Sequence, residues 1–198
     1  MKFDPNRRNR RSIRLPEYDY TQPGAYFITT CSWQRQCLFG DINHDQIQLS
    51  RYGEVVKFNW FNLTRVYPHV NLDAFVIMPN HLHGIIILTE QVITGGAAEL
   101  NTSRKCHGLP EIVRGLKTFS ARRINQLRNQ RGVPVWQRGY YEKVIGNEQS
   151  LQNIREYIVN NPLGWEKDEM HPSKSFSFNN KICLKFQDRS QFVMNLNY

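Results

Sequence analysis

The stretch Ala74-Phe75-Val76-Ile77-Met78-Pro79-Asn80-His81-Leu82-His83-Gly84-Ile85-Ile86-Ile87-Leu88 constrains the fold more than any other part of the chain. It reads as a strand, a Pro-Asn turn and a second strand that opens with His-Leu-His, so the two strands pair antiparallel. Successive side chains of a strand point to opposite faces. His81 and His83 therefore share one face, and Leu82 points the other way, into the core. Folding does not ask for two imidazoles there, because His is a poor strand former and an indifferent core residue. Two such nitrogens side by side on a rigid sheet are what a divalent metal site needs from a strand. A hydrogen-bonded structural pair is the other reading. The remaining histidines, His44, His69, His107 and His171, show no metal-ligand spacing among themselves.

Around that hairpin the local patterns fall into order. Gln22-Pro23-Gly24 signals a turn, and Ala25 to Cys31 reads as a first strand of aromatic and β-branched residues. Ser50 to Val66 has helical spacing, with Tyr52, Val55, Val56, Trp60, Leu63 and Val66 expected on the core side. Val70 to Ile77 and His81 to Leu88 are the second and third strands. Residues 89–106, with Gly95-Gly96, read as a loop. Ile112 to Leu127 reads as a second helix, with Ile112, Leu116, Phe119, Arg123 and Leu127 along one side. Val135 to Val144 reads as a fourth strand. Asn147 is a natural N-cap for a third helix over Glu148 to Asn161, which Pro162 ends. A short strand over Ile182 to Phe186 is a further expectation. The first six elements run βαββαβ. That order predicts an α+β domain with a ferredoxin-like antiparallel sheet and helices on one or both faces.

The 198 residues suit one domain with trimmings, and a composition 40% hydrophobic and 12% aromatic is that of a globular chain. The boundaries read as a basic arm over 1–20, the main domain over 21–165 and a C-terminal extension over 166–198. Cys31, Cys37, Cys106 and Cys183 are scattered without a CxxC pair, so reduced thiols of an intracellular protein are expected. The basic N-terminus lacks the apolar segment of a signal peptide, and no apolar run is long enough to span a membrane. The net charge of +9 is concentrated in two places. Residues 1–15 hold six basic side chains against one acidic, and residues 104–131 hold eight against one. Such clustering fits a polyanion as partner. Arg7, Arg8, Arg10, Arg11 and Arg14 of the arm, and Arg114, Lys117, Arg122 and Arg123 of the second helix, are the candidate phosphate contacts.

On the third helix Tyr157 and Asn161 are four residues apart, so they lie one turn apart on one face. A phenol has a pKa of about 10 and reacts as phenolate at neutral pH only beside a cation. Without the His pair and Asn161, Tyr157 would read as a core or rim tyrosine; Tyr140 and Tyr141, on a predicted strand without a ligand-type neighbour, are its rivals as a reactive phenol. No dedicated general base is evident in the sequence.

Four motifs together resemble one family. Pro79-Asn80-His81-Leu82-His83-Gly84 is similar to the His-hydrophobe-His motif of single-strand tyrosine transposases. Arg155-Glu156-Tyr157-Ile158-Val159-Asn160-Asn161-Pro162 resembles their tyrosine helix. Trp136-Gln137-Arg138-Gly139-Tyr140-Tyr141 and the opening Arg11-Ser12-Ile13-Arg14-Leu15-Pro16, leading to Gly24-Ala25-Tyr26-Phe27, match as well. The resemblance covers about residues 7–165 and is to the REP-associated tyrosine transposases, found near repeated extragenic palindromes of bacterial genomes. It implies an HUH-endonuclease type of fold, with His81, His83 and Asn161 as ligands of a divalent cation and Tyr157 as nucleophile. It implies cleavage of single-stranded DNA beside a hairpin, through a 5′-phosphotyrosine intermediate and a free 3′-hydroxyl, in the bacterial cytoplasm at the nucleoid. Two imidazoles and an amide oxygen would by themselves admit Zn²⁺ or Mn²⁺; the resemblance implies Mg²⁺ or Mn²⁺. The sequence leaves monomer and homodimer open. It also leaves two other readings: a transposase-derived protein that binds hairpins without cutting, and a metal-dependent nuclease that uses water and forms no adduct.

Overall fold

Tyr26, Phe27, Ile28, Thr29 and Thr30 favour a pleated chain, and they lie in the first strand, β1 (Gly24–Cys31). The computed structural model describes residues 18–90 and 107–174. The arm cations Arg7, Arg8, Arg10, Arg11 and Arg14, the Gly95-Gly96 loop and the strand expected over 182–186 lie outside the described residues. A 3-10 turn at Trp33–Arg35 follows β1, then a small hairpin of β2 (Gly40–Asn43) and β3 (Gln46–Leu49). The sequence reading assigns nothing there. The hairpin turns at His44 and Asp45, which both take positive φ, 48° and 59°. Such paired left-handed residues make a tight two-residue turn.

Helix α1 (Arg51–Val66) begins where Ser50 Oγ accepts hydrogen bonds from the backbone N–H groups of Tyr52 and Gly53, at 3.1 and 3.2 Å. Strands β4 (Val70–Met78) and β5 (His81–Leu88) meet across Pro79-Asn80, with Met78 opposite His81. Helix α2 (Leu109–Leu127) starts three residues before its expected position, with Pro110 in its first turn. Strand β6 (Tyr141–Ile145) and helix α3 (Glu148–Asn160) follow. Asn147 Oδ1 caps α3 by accepting from Ser150 N–H at 2.8 Å. The main sheet runs β4-β5-β1-β6, all neighbours antiparallel. Leaving the hairpin aside, this is the ferredoxin-like order, as the sequence predicts.

Every second residue of β5 faces one side. Gly84 lies against Trp60 of α1, where a Cβ would collide with the indole. Trp60 also stacks on Phe75, with ring centroids 5.6 Å apart. This face, covered by α1, carries fully buried Leu82 and Ile86, with Val56 and Trp60 from the helix. The opposite face packs α3: Phe27, Ile85, Ile145 and Ile158 form its buried centre, with Val76, Ile87, Leu151, Ile154 and Tyr157 around it. Burial on both faces explains why β5 is apolar without alternation.

Three local expectations are corrected. The fourth strand is Tyr141–Ile145, not Val135 to Val144. Upstream, the Gln137 and Gly139 carbonyls accept from Lys117 Nζ at 2.7 and 2.6 Å, and Gly139 takes φ 73°, so this chain is held to α2. Trp136 makes one isolated bridge, to Ser32. On α2 the buried side chains are Leu109, Ile112, Val113, Leu116, Ser120 and Ile124, while Phe119 is 53% exposed. Ser120 belongs inside because its hydroxyl donates to the Leu116 carbonyl and accepts from Trp136 Nε1. On α1, Val66 is exposed, and so are Phe58 and Phe61.

A β-bulge in β4 between Leu72 and Phe75 serves the α3 face. Asp73 lies within it, and its carboxylate accepts two hydrogen bonds from Arg155 of α3, at 2.9 and 2.7 Å. The bulge re-aims one side chain, and that side chain fixes the helix carrying Tyr157. Arg155 in turn holds the Asp73 carboxyl below its ordinary range.

Candidate active site

His81 and His83 lie on β5 as neighbours, with ring centroids 4.5 Å apart, and both are buried. Their partners come from different elements. His81 Nδ1 pairs with Asn80 Oδ1 at 2.8 Å. His83 Nδ1 pairs with Thr29 Oγ1 of β1 at 2.7 Å, and His83 Nε2 with the Tyr157 hydroxyl of α3 at 3.2 Å. Phe27 stacks on His83 and presents its edge to Tyr157, which fixes both rings. Asn161 is the residue that closes α3, and it is buried. Its side chain neighbours both His81 and Tyr157, favouring the proton on the imidazole and the phenolate on the phenol. Neither neighbour satisfies it: His81 Nε2 and Asn161 Oδ1 are both buried without a hydrogen-bond partner among the described residues. Trp165, in the 3-10 segment Pro162–Lys167 after α3, closes the site over His81 at 6.1 Å.

The electrostatics follow from burial. Desolvation pushes His81 down to about 3, helped by the Arg35 charge, and pushes His83 far below its usual range, helped by His81. Both rings are therefore neutral at physiological pH, the state in which an imidazole binds a metal. Burial drives the Tyr157 phenol well above its ordinary value, and the carboxylate of Asp168 adds to this. The resting phenol keeps its proton.

The structure thus brings His81, His83, Tyr157 and Asn161 together from two elements. Tyr141, a rival in the sequence, lies on β6 against Phe27 on the same sheet face. Arg114, Arg122 and Arg123 are exposed on α2, and the Arg122 guanidinium lies over the Phe119 ring at 5.9 Å. Lys117 instead turns inward to the Gln137 and Gly139 carbonyls, and its desolvation lowers it to about 8. Sequence reasoning missed Thr29 and Asn80. Thr29 could have been found from strand parity, since it pairs across β1–β5 with His83. It also missed a hydrogen-bond partner for the phenol, which is His83.

A divalent cation fits this donor set. Two neutral imidazoles and an amide oxygen converge, and two of those atoms are buried lone pairs facing no donor. Among the described residues no three His, Cys, Asp or Glu side chains form a metal cluster, and the third donor beside the two imidazoles is the Asn161 amide.

A strand-borne imidazole pair facing a helix-borne tyrosine and asparagine, on a ferredoxin-like sheet, is the arrangement expected of single-strand tyrosine transposases. Comparison with known proteins bears on the family and on the fold. The family profile "Transposase IS200 like" matches residues 100–161. An uncharacterized protein of Haemophilus influenzae is 42% identical over 182 residues, which span 86% of this chain and 97% of that protein. A solved REP-associated tyrosine transposase bound to a REP hairpin shares the fold, with a TM-score of 0.53 at 18% identity over 76% of this chain and 73% of that one. Over residues 100–161, then, the chain carries the signature of the IS200-like transposase family.

No helix among the described residues is long and apolar enough to cross a membrane.

Proposed function

We propose that this protein is a nicking and joining enzyme for single-stranded DNA, with Tyr157 as its nucleophile. One observation carries the reading. The Tyr157 hydroxyl sits 3.2 Å from His83 Nε2, beside two buried atoms, His81 Nε2 and Asn161 Oδ1, that have no hydrogen-bond partner among the described residues. His81, His83 and Asn161 would hold a divalent cation, Mg²⁺ or Mn²⁺, and His83 Nε2 would then release the phenol. When bound, such an ion supplies positive charge to the scissile phosphate and to the phenolate.

The chain's own residues do the rest. Phe27 and the Arg155–Asp73 pair hold α3 so that the phenol faces the imidazoles. The Tyr157 oxygen forms a bond to phosphorus, and the bond from phosphorus to the 3′ oxygen breaks. The proton lost by the phenol balances the proton gained by the departing 3′-hydroxyl. A 5′-phosphotyrosine linkage remains, and the 3′-hydroxyl of a second strand reverses the step without an external energy source. Arg114, Arg122 and Arg123 would grip phosphates of hairpin DNA, with the arm over residues 1–20 adding further contacts. Lys117, already committed to two carbonyls, has one N–H left for that role. The site of action would be the bacterial nucleoid.

The test is a denaturing gel of end-labelled hairpin DNA with purified protein and Mn²⁺ or Mg²⁺. A slowly migrating covalent band, lost with EDTA and in Tyr157→Phe, is the expected result. Cleavage without that band would assign a water-using nuclease instead. Binding with neither outcome would leave a non-catalytic hairpin binder.

A further inference from the structure

We infer that Asn80 is a positioning residue that fixes which nitrogen of His81 carries the proton, and so keeps Nε2 bare toward the site. The inference deepens the cation-binding part of the reading above and rests on it only for the use made of that nitrogen.

Asn80 is fully buried. Its amide N–H₂ donates to the Arg35 carbonyl at 3.1 Å and to the Met170 carbonyl at 2.7 Å. Carbonyl oxygens only accept, so these two bonds settle which end of the amide is nitrogen. The oxygen is then the atom facing His81 Nδ1, 2.8 Å away. An amide oxygen also only accepts, so Nδ1 must bear the hydrogen. A second hydrogen, on Nε2, would be a buried N–H with no acceptor, because Nε2 is buried without a hydrogen-bond partner among the described residues. The ring therefore carries one N–H, the one that Asn80 Oδ1 accepts, and Nε2 is left as a bare lone pair.

The backbone of the same turn holds Asn80 in place. The Ser32 N–H donates to the Asn80 carbonyl at 2.8 Å, and the Phe39 N–H to the Pro79 carbonyl at 2.9 Å. Three separate segments, around residues 32–39, 79–81 and 170, thus combine to set one proton. Thr29 cannot do the same for His83, because a hydroxyl both donates and accepts. Asn80 is therefore a dedicated device for His81. Outer partners of this kind orient metal-binding imidazoles, and losing one lowers metal affinity about 10- to 100-fold.

The test is a long-range ¹H–¹⁵N NMR spectrum of the metal-free full-length protein, which distinguishes the two imidazole tautomers. The His81 ring is expected in its Nδ1–H form; an Nε2–H ring would overturn the inference without any variant. In Asn80→Ala, the His81 signals should move to the Nε2–H form or a mixture. Mn²⁺ should bind at least about tenfold more weakly by calorimetry. A folded Asn80→Ala protein with unchanged tautomer and unchanged Mn²⁺ affinity would reduce Asn80 to a structural residue and overturn the inference. If the wild-type ring is Nδ1–H and no Mn²⁺ binds at all, the tautomer assignment stands and the cation reading of the site falls.

Discussion

The two faces of one sheet have been put to different uses, although the same strands supply both. On the α1 side, alternate residues of β5 are Leu82, Gly84 and Ile86, and the space above Gly84 is filled by Trp60. On the α3 side, the intervening residues are His81, His83, Ile85 and Ile87, and the hydrocarbon ends where the imidazoles begin. The first face also leaves atoms without partners, Trp60 Nε1 and Thr30 Oγ1, but an indole N–H and a hydroxyl scattered among hydrocarbon make no set of metal donors. The second gathers its unsatisfied atoms, His81 Nε2 and Asn161 Oδ1, beside a phenol, with no partner among the described residues, a cost to folding that an apolar core would not carry. The lesson is that a strand buried on both sides can separate stability from chemistry by parity alone.

The comparison yields predictions, beginning with the largest effect. Tyr157→Phe should abolish the covalent DNA adduct, a loss of roughly 10³-fold or more in strand cleavage. Its melting temperature should stay near wild type, since the ring still packs on Phe27. A collapse of stability would mean the α3 face is core first and site second. On the other face, Trp60→Ala should cost about 3–5 kcal/mol by denaturant titration, as the indole fills the space between Gly84 and Phe75. Loss of activity in protein that is still folded, without loss of stability, would break the division.

Asp73→Asn should cost about 1 kcal/mol, because the pair with Arg155 is bidentate but partly exposed. The sign with pH is fixed by the direction of the shift. The Asp73 carboxyl is held low by Arg155, so its contribution is present at neutral pH and fades as pH falls through its folded value. The gap between wild type and Asp73→Asn should therefore narrow below about pH 4, the ordinary range for this group. A constant gap in acid unfolding curves would show that the pair contributes nothing through charge. The smallest effect belongs to the exposed face of α2. Arg122→Gln should lower the salt slope of hairpin binding by about one unit and weaken all sequences alike. An unchanged slope would remove Arg122 from the DNA contact.

Much of the site was legible because its chemistry is written in short-range spacing. His81 and His83 are two apart on a strand, and Tyr157 and Asn161 four apart on a helix, and each spacing places its pair on one face. The segments that failed were those whose hydrogen bonds go elsewhere. Val135 and Trp136 look like strand residues, but carbonyls of the following chain are claimed by Lys117, whose charge suggested phosphate from sequence alone. The hairpin from Gly40 to Leu49 is short, and its turn needs left-handed His44 and Asp45, residues without the glycine that usually announces such a turn. Phe119 continues an apolar helical spacing and is exposed, because the buried stripe of α2 passes through Ser120 to reach Trp136.

By itself, then, the sequence determined the βαββαβ order of the main elements, the parity that puts two imidazoles on one face, and the turn that separates tyrosine from asparagine. These depend on periods of two and of 3.6 residues, which are local properties of the backbone. Only the tertiary structure decided that the two pairs meet, that the phenol rests on His83, and that the Met170 carbonyl turns the Asn80 amide so that its oxygen faces His81. Those contacts join residues 74 and 90 positions apart in the chain. Hydrogen-bond direction and burial between such distant residues exist only once the sheet has closed and desolvated the atoms concerned.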